Sequence, residues 1–123
     1  MHELTLCRNI IDITLRNIPP NTKVKKINLE IGKLVSVDPQ ALLFSFDVIA
    51  KNTQLSDALL NIIEIDGKAS CNVCNYSFVI LKLYVSCMKC GGHALSILAG
   101  EELRIKSMEV EPCVEFAAVV KVK

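Results

Sequence analysis

The chain has 123 residues, 51% of them hydrophobic and 22% charged, with 14 Lys and Arg against 13 Asp and Glu and a formal charge of +1. That length fits one small domain or two very small lobes and excludes a large multidomain enzyme. The near-neutral charge argues against a phosphate-backbone binder, and the absence of Trp leaves few surfaces on which bases or sugars would stack.

From Glu3 to about Asn17, Leu4, Cys7, Ile11, Leu15 and Ile18 recur at helical spacing, and Pro19-Pro20-Asn21 cannot continue that helix. Ile27, Leu29 and Ile31 then alternate with Lys26, Asn28 and Glu30 as a half-buried strand does, and Gly32 allows a bend. Asp38-Pro39 reads as an N-cap followed by proline at the first helical position, opening a second helix through about Lys51 with Leu42, Leu43, Phe46, Val48 and Ile49 on its apolar face. Leu59 to Asp66 reads as a strand bounded by Gly67. Leu103 to Val110 is another, whose apolar residues change parity between Ile105 and Met108, the mark of a bulge or an early end. Between these last two strands lies a segment of different composition that holds Tyr76, Phe78, Tyr84 and two cysteine pairs. Helices and strands together make the expected class α+β; if the last strand returns to pair with the first lobe, the segment 68–98 is an insertion and the first domain, residues 1–67 plus 99–123, is discontinuous in sequence.

No apolar run approaches the roughly 20 residues that span a bilayer. Glu3, Arg8, Asp12 and Arg16 interrupt the continuous apolar stretch that a secretory signal requires. The expectation is a soluble, cytoplasmic protein whose six Cys stay out of structural disulfides.

Cys71-Asn-Val-Cys74 and Cys87-Met-Lys-Cys90 are separated by twelve residues, close to the spacing of a zinc ribbon. In each pair the two-residue gap lets both thiolates face one ion, and two such knuckles close a tetrahedron. A thirty-residue lobe cannot bury enough surface to fold alone, so the metal would contribute on the order of 10 kcal/mol to its folding. Four protein ligands leave no position for water, which makes the ion structural. The knuckles also resemble those of rubredoxin, where iron fills the same cage. Rubredoxins, however, have a compact aromatic core and a much longer spacer, so zinc is favoured.

Only two His are present, His2 and His93. The amine of Met1, the backbone nitrogen of His2 and the His2 ring nitrogen can form adjoining chelate rings beside Glu3, a nitrogen-rich set that suits nickel(II) or copper(II). Read alone, however, a terminal His is most often just a solvated residue. Asp38 has a sufficient explanation as a helix cap, Cys7 as part of a buried stripe, and no Gly-rich phosphate loop is present.

Taken together, Met-His-Glu-Leu running into an amphipathic helix, Ile31-Gly-Lys-Leu-Val-Ser-Val-Asp-Pro-Gln-Ala-Leu, Phe44-Ser-Phe, the paired knuckles and Gly100-Glu-Glu-Leu-Arg-Ile-Lys-Ser-Met-Glu-Val-Glu resemble the HypA/HybF family of hydrogenase nickel-incorporation metallochaperones. The resemblance covers nearly the whole chain and implies a lobe of two helices packed on a small β-sheet, with a zinc-ribbon lobe inserted between its strands. It implies a non-enzymatic nickel carrier in which Met1, His2 and Glu3 hold the ion, with an acidic contributor that maps to Asp38, and a zinc ribbon of Cys71, Cys74, Cys87 and Cys90. It also implies delivery to a hydrogenase large-subunit precursor with a maturation GTPase of the HypB type, a urease accessory protein as a second route, and a homodimer among the assemblies to test. Some members place His beside both knuckles, whereas only His93 lies near one here. The tail from Pro112, with Cys113 and the apolar run Val114 to Val120, extends beyond the family's usual end as an added strand, an interaction segment or a swapping element. The competing reading is a zinc-ribbon module for protein interaction or nucleic-acid binding without nickel delivery.

Overall fold

A computed structural model describes residues 2–111, 114–116 and 120–121. Along the chain run α1 (Glu3–Arg16), β1 (Lys23–Gly32), α2 (Pro39–Ala50), β2 (Leu59–Ile65), β3 (Gly67–Cys71), β4 (Ser77–Ile80), β5 (Leu95–Ala99), β6 (Leu103–Glu111), β7 (Val114–Phe116) and β8 (Val120–Lys121). The class is α+β, as the sequence indicates. Two compact units form, one from residues 1–30, 37–63 and 103–123, the other from 31–36 and 64–102.

In the first unit the strand order is β2-β1-β6-β7, and β8 also pairs with β6. α1 buries Leu6, Cys7, Ile10, Ile11 and Thr14. This face is rotated from the expected stripe: Leu4 is exposed and Leu15 only half-buried. Rotation is tolerated because the Thr14 hydroxyl donates to the Ile10 carbonyl at 2.8 Å, so a polar residue enters the core with its hydrogen bond made. In α2 the buried stripe narrows to Leu42, Phe46 and Ala50, four residues apart, and the expected Leu43 and Val48 are exposed. The helices meet where the Cys7 thiol donates to the Leu42 carbonyl, 3.3 Å away. Asp38 caps α2 by accepting from the Gln40 N–H at 3.0 Å, with Pro39 at the first helical position.

On the sheet, Ile27, Leu29, Ile105, Met108 and Val110 are buried. β6 changes burial phase at Ser107 and Met108, as the parity of its sequence indicates, but continues to Glu111. Of the bulge and the early end, the early end is therefore ruled out. At the switch the Ser107 hydroxyl accepts from the Asn28 amide at 2.9 Å, and Asn61 donates to Asn28 at the same distance, forming a polar chain between strands. Arg104 and Glu30 make an ion pair at 2.7 Å. In the tail, β7 and β8 add antiparallel strands to β6, with Met108 opposite Phe116 and Arg104 opposite Lys121. Cys113 lies outside the described residues.

The second unit is built on an antiparallel three-stranded sheet ordered β4-β3-β5. Ala69, Cys71, Phe78, Ile80 and Cys87 form its core, and Leu34, Cys74, Val85, Leu95 and Ile97 pack against them. Leu34 belongs to the 31–36 segment, which is tied in by hydrogen bonds from Gly32 N–H to the Glu102 carbonyl (2.7 Å), Lys33 N–H to Ile65 (2.8 Å) and Leu34 N–H to Gly100 (2.9 Å). A Cβ on Gly32 would lie 1.9 Å from the Gly100 oxygen, so glycine stands here for close backbone approach.

Candidate metal centre

The first knuckle is the turn from β3 to β4 and the second lies in the loop from β4 to β5. Both are built the same way. The Cys71 N–H donates to the Tyr76 carbonyl at 2.9 Å and its own carbonyl accepts from Asn75 at 2.9 Å; the Cys87 N–H donates to Gly92 at 2.7 Å and its carbonyl accepts from Gly91 at 2.9 Å. The fifth residue of each turn is left-handed, Asn75 with φ of 62° and Gly91 with φ of 75°. Asn and Gly are the residues that adopt this conformation at least cost. Sequence reading did not assign them this role, although an Asn or Gly directly after the second cysteine of each pair is a readable signal.

These turns bring the Cys71, Cys74, Cys87 and Cys90 sulfurs within 4.8 Å of one another. Two contacts cross between knuckles, Cys71 to Cys90 and Cys74 to Cys87, each at 3.6 Å. A tetrahedral zinc with bonds near 2.3 Å has sulfur–sulfur edges of about 3.8 Å, so the cage has the size and donor set for that ion. Hard cations such as calcium and magnesium take oxygen ligands and do not suit it.

Backbone amides aimed at the sulfurs sort the thiols. The Cys90 N–H, with that of Lys89 at 3.4 Å, pulls Cys87 down to about 6 against the effect of burial. The Cys74 and Val73 amides likewise lower Cys71. For Cys74 the Tyr76 amide favours the thiolate but is outweighed by burial and the neighbouring sulfurs, which push it up to about 11. Cys90 also lies above its ordinary value: the Gly92 amide is outweighed by Cys71, Cys87 and desolvation. The first cysteine of each knuckle is the readier thiolate, and a cation with two positive charges would draw the protons from the second.

Around the cage, Tyr76 stacks on Phe78 at 5.7 Å and the Lys89 ammonium lies 5.8 Å from the Tyr76 ring centre, so a residue of the second knuckle touches the first. Asn72 accepts from the Ser96 hydroxyl at 2.9 Å. His93 is exposed and is not a member of the cluster.

At the other end of the chain, His2 is the N-cap of α1, its carbonyl accepting from the Leu6 N–H at 3.1 Å. Its imidazole makes no capping hydrogen bond and is exposed. Glu3 occupies the first turn, and Met1 lies outside the described residues. Among the described residues the cysteines are the group of three or more side-chain donors that converge, so His2, Glu3 and Asp38 do not gather into one. No helix among the described residues is long and apolar enough to cross a membrane.

Residues 1–110 match the family model described as hydrogenase/urease nickel incorporation, metallochaperone, HypA. The chain is 49% identical over 113 residues to the hydrogenase maturation factor HypA of Legionella pneumophila (strain Lens), covering 90% of this chain and all of the relative. It is 40% identical over 111 residues to the hydrogenase maturation factor HypA of Crocosphaera subtropica, covering 90% and 96%. Its fold is similar to the solution structure of the nickel metallochaperone HypA from Helicobacter pylori, with a TM-score of 0.63, 25% identity, and 89% and 97% of the two chains covered.

Proposed function

The chain belongs to the HypA family of hydrogenase and urease nickel-incorporation metallochaperones, and on that premise we propose that it carries nickel(II) on Met1, His2 and Glu3 and delivers it during maturation of a [NiFe]-hydrogenase. The observation that carries the reading is the family match over residues 1–110, which takes in the N-terminal tripeptide together with both cysteine knuckles. The setting of His2 supports it: the imidazole is exposed and not spent on capping α1. A few-ligand site at a chain terminus suits an ion that must be held and then surrendered, whereas a closed four-thiolate cage suits one that stays. Asp38 is the acidic residue assigned to assist, although one of its oxygens already accepts from Gln40.

In this reading the first unit holds the nickel, and the second, which contains the 68–98 segment, holds a structural zinc(II) on Cys71, Cys74, Cys87 and Cys90. The chain transfers an ion and catalyses no reaction. It works in the cytoplasm with a nickel-maturation GTPase of the HypB type and a hydrogenase large-subunit precursor. Urease, through its accessory protein, is a second recipient, and self-association as a homodimer is part of the proposal. An interaction module without nickel delivery is the alternative, and it has one observation in its favour: Val73 and Met88 stand exposed on the two knuckles.

A peptide tag fused ahead of Met1 separates the two. Elemental analysis after dialysis against both metals should show nickel lost and zinc retained in the tagged protein. Equal nickel in tagged and untagged protein would overturn the ligand set.

A further inference from the structure

We propose that the cysteine cluster is an oxidation site with a built-in order, in which peroxide attacks Cys90 and Cys71 then closes the first disulfide, tying the two knuckles to each other. The inference builds on the zinc reading of the cage and adds a chemistry that this reading does not contain. It rests on two features of the geometry, the unequal exposure of the four cysteine residues and the two sulfur–sulfur contacts that cross between the knuckles.

Exposure selects the entry point. Cys71 and Cys87 are buried, Cys74 is half-buried and Cys90 is exposed. Peroxide must touch the sulfur it oxidises, and susceptibility follows thiolate character and access together. A zinc-bound cysteine is held as thiolate whichever position it occupies, so access distinguishes the four. Cys7 offers no competing route, because it is buried and its thiol is engaged by the Leu42 carbonyl.

Contact direction selects the partner. Once Cys90 is oxidised, the Cys71 sulfur is 3.6 Å away across the cage, and a disulfide of about 2.05 Å requires closure by about 1.5 Å. The remaining sulfurs, Cys74 and Cys87, form a second cross-knuckle pair at the same 3.6 Å. In the first step the Cys90 thiolate displaces hydroxide from hydrogen peroxide and becomes a sulfenic acid. The Cys71 thiolate then attacks the Cys90 sulfur; the S–S bond forms, the S–O bond breaks, and the oxygen leaves as hydroxide. Two thiolates, one peroxide and two protons give one disulfide and two waters, the sulfurs supplying both electrons. A second peroxide repeats the balance at Cys74 and Cys87 and removes the last ligands of the cage.

A cross-knuckle bond has a consequence that a bond within a knuckle lacks. It joins the end of β3 to the loop between β4 and β5, the same two segments that an ion in the cage would join. The second unit then keeps its closure after the metal has gone, and thiol reduction restores the cage.

The test uses the full-length, reduced protein with its zinc content measured beforehand. One equivalent of hydrogen peroxide is added, free thiols are blocked with iodoacetamide, and the digest is mapped by mass spectrometry. The expected leading product is a peptide joined through Cys71 and Cys90, lighter by two hydrogens than its reduced parts, with Cys74 and Cys87 alkylated. A second equivalent should join Cys74 to Cys87 and release one zinc per chain to a chelating dye. A leading disulfide within a knuckle, a first bond between Cys74 and Cys87, a leading bond to Cys113, or sulfinic acid at Cys90 without any disulfide would each overturn the proposal. Zinc measured at the outset keeps the two readings apart: its absence defeats the zinc assignment, and wrong pairing in protein that holds one zinc per chain defeats the oxidation order alone.

Discussion

Replacing Gly32 with Ala tests how the second unit is held at its base. A Cβ built there meets the Gly100 oxygen at 1.9 Å, the Gly100 carbonyl carbon at 2.0 Å and the Glu101 nitrogen at 2.6 Å, all of them backbone atoms that cannot rotate away. Relief requires the two segments to separate by about an ångström or more, which breaks the hydrogen bonds from Gly32 to Glu102 and from Leu34 to Gly100. Each bond contributes about 1 kcal/mol, and forced overpacking costs a further 1–3 kcal/mol, roughly, so the expected loss is about 3–5 kcal/mol. The chain has no Trp, and its two tyrosines, Tyr76 and Tyr84, both lie in the second unit. Tyrosine fluorescence during urea unfolding of the zinc-loaded protein therefore reports that unit. Gly91→Ala is the control: Gly91 has φ of 75° but no atom within 4 Å of its Cβ position, so only the left-handed backbone is penalised, at roughly 1–2 kcal/mol. A Gly32→Ala loss below about 1 kcal/mol, or one no larger than that of the control, would refute the close-approach argument.

Three further outcomes follow from the same structure. Burial first, and then Glu3, raise the Cys7 thiol from 9.0 to about 11, so the fold prefers it neutral. The stability that depends on this is complete below pH 9 and is lost as pH rises from 9 to 11, about 3 kcal/mol in all; in Cys7→Ala the loss over that window should shrink, and equal slopes for the two proteins in urea titrations would contradict it. Phe46 is 1% exposed at the centre of the α2 stripe, and Phe46→Ala should cost about 3–5 kcal/mol by chemical denaturation, whereas Phe44→Ala, at a site 71% exposed, should change stability by less than about 0.5 kcal/mol. Removing zinc with a chelator under reducing conditions should alter the tyrosine signal while far-ultraviolet circular dichroism keeps the helical contribution of α1 and α2, which lie in the first unit; simultaneous loss of both signals would count against a metal dependence confined to the second unit.

Much of this architecture is written in local patterns. Asp38-Pro39 marks the start of α2 because a capping oxygen and a fixed φ act within a few residues, and the C-x-x-C pairs mark the cage because their spacing is itself the geometry. The α1 face was misplaced by residue type: Thr14 looks polar in a sequence but buries its hydroxyl against Ile10, and Leu4 looks apolar but stays exposed. β3, β4 and β5 escaped individual assignment because each has only four or five residues, among them Lys68, Ser70, Ser77 and Ser96. The closeness of Gly32, Gly67 and Gly100 depends on segments more than thirty positions apart, and no window along the chain displays it. The N-terminal tripeptide is different in kind, since composition left His2 open between ligand and solvated residue and only resemblance to a family singled it out.

Whether the N-terminal tripeptide holds nickel is decided by calorimetric titration of nickel(II) into zinc-loaded protein with a native N-terminus, in parallel with His2→Ala protein whose zinc content is shown to be unchanged. The expected result is one tight site per chain that disappears on substitution. No tight site in the native protein, or one indifferent to His2, would contradict it.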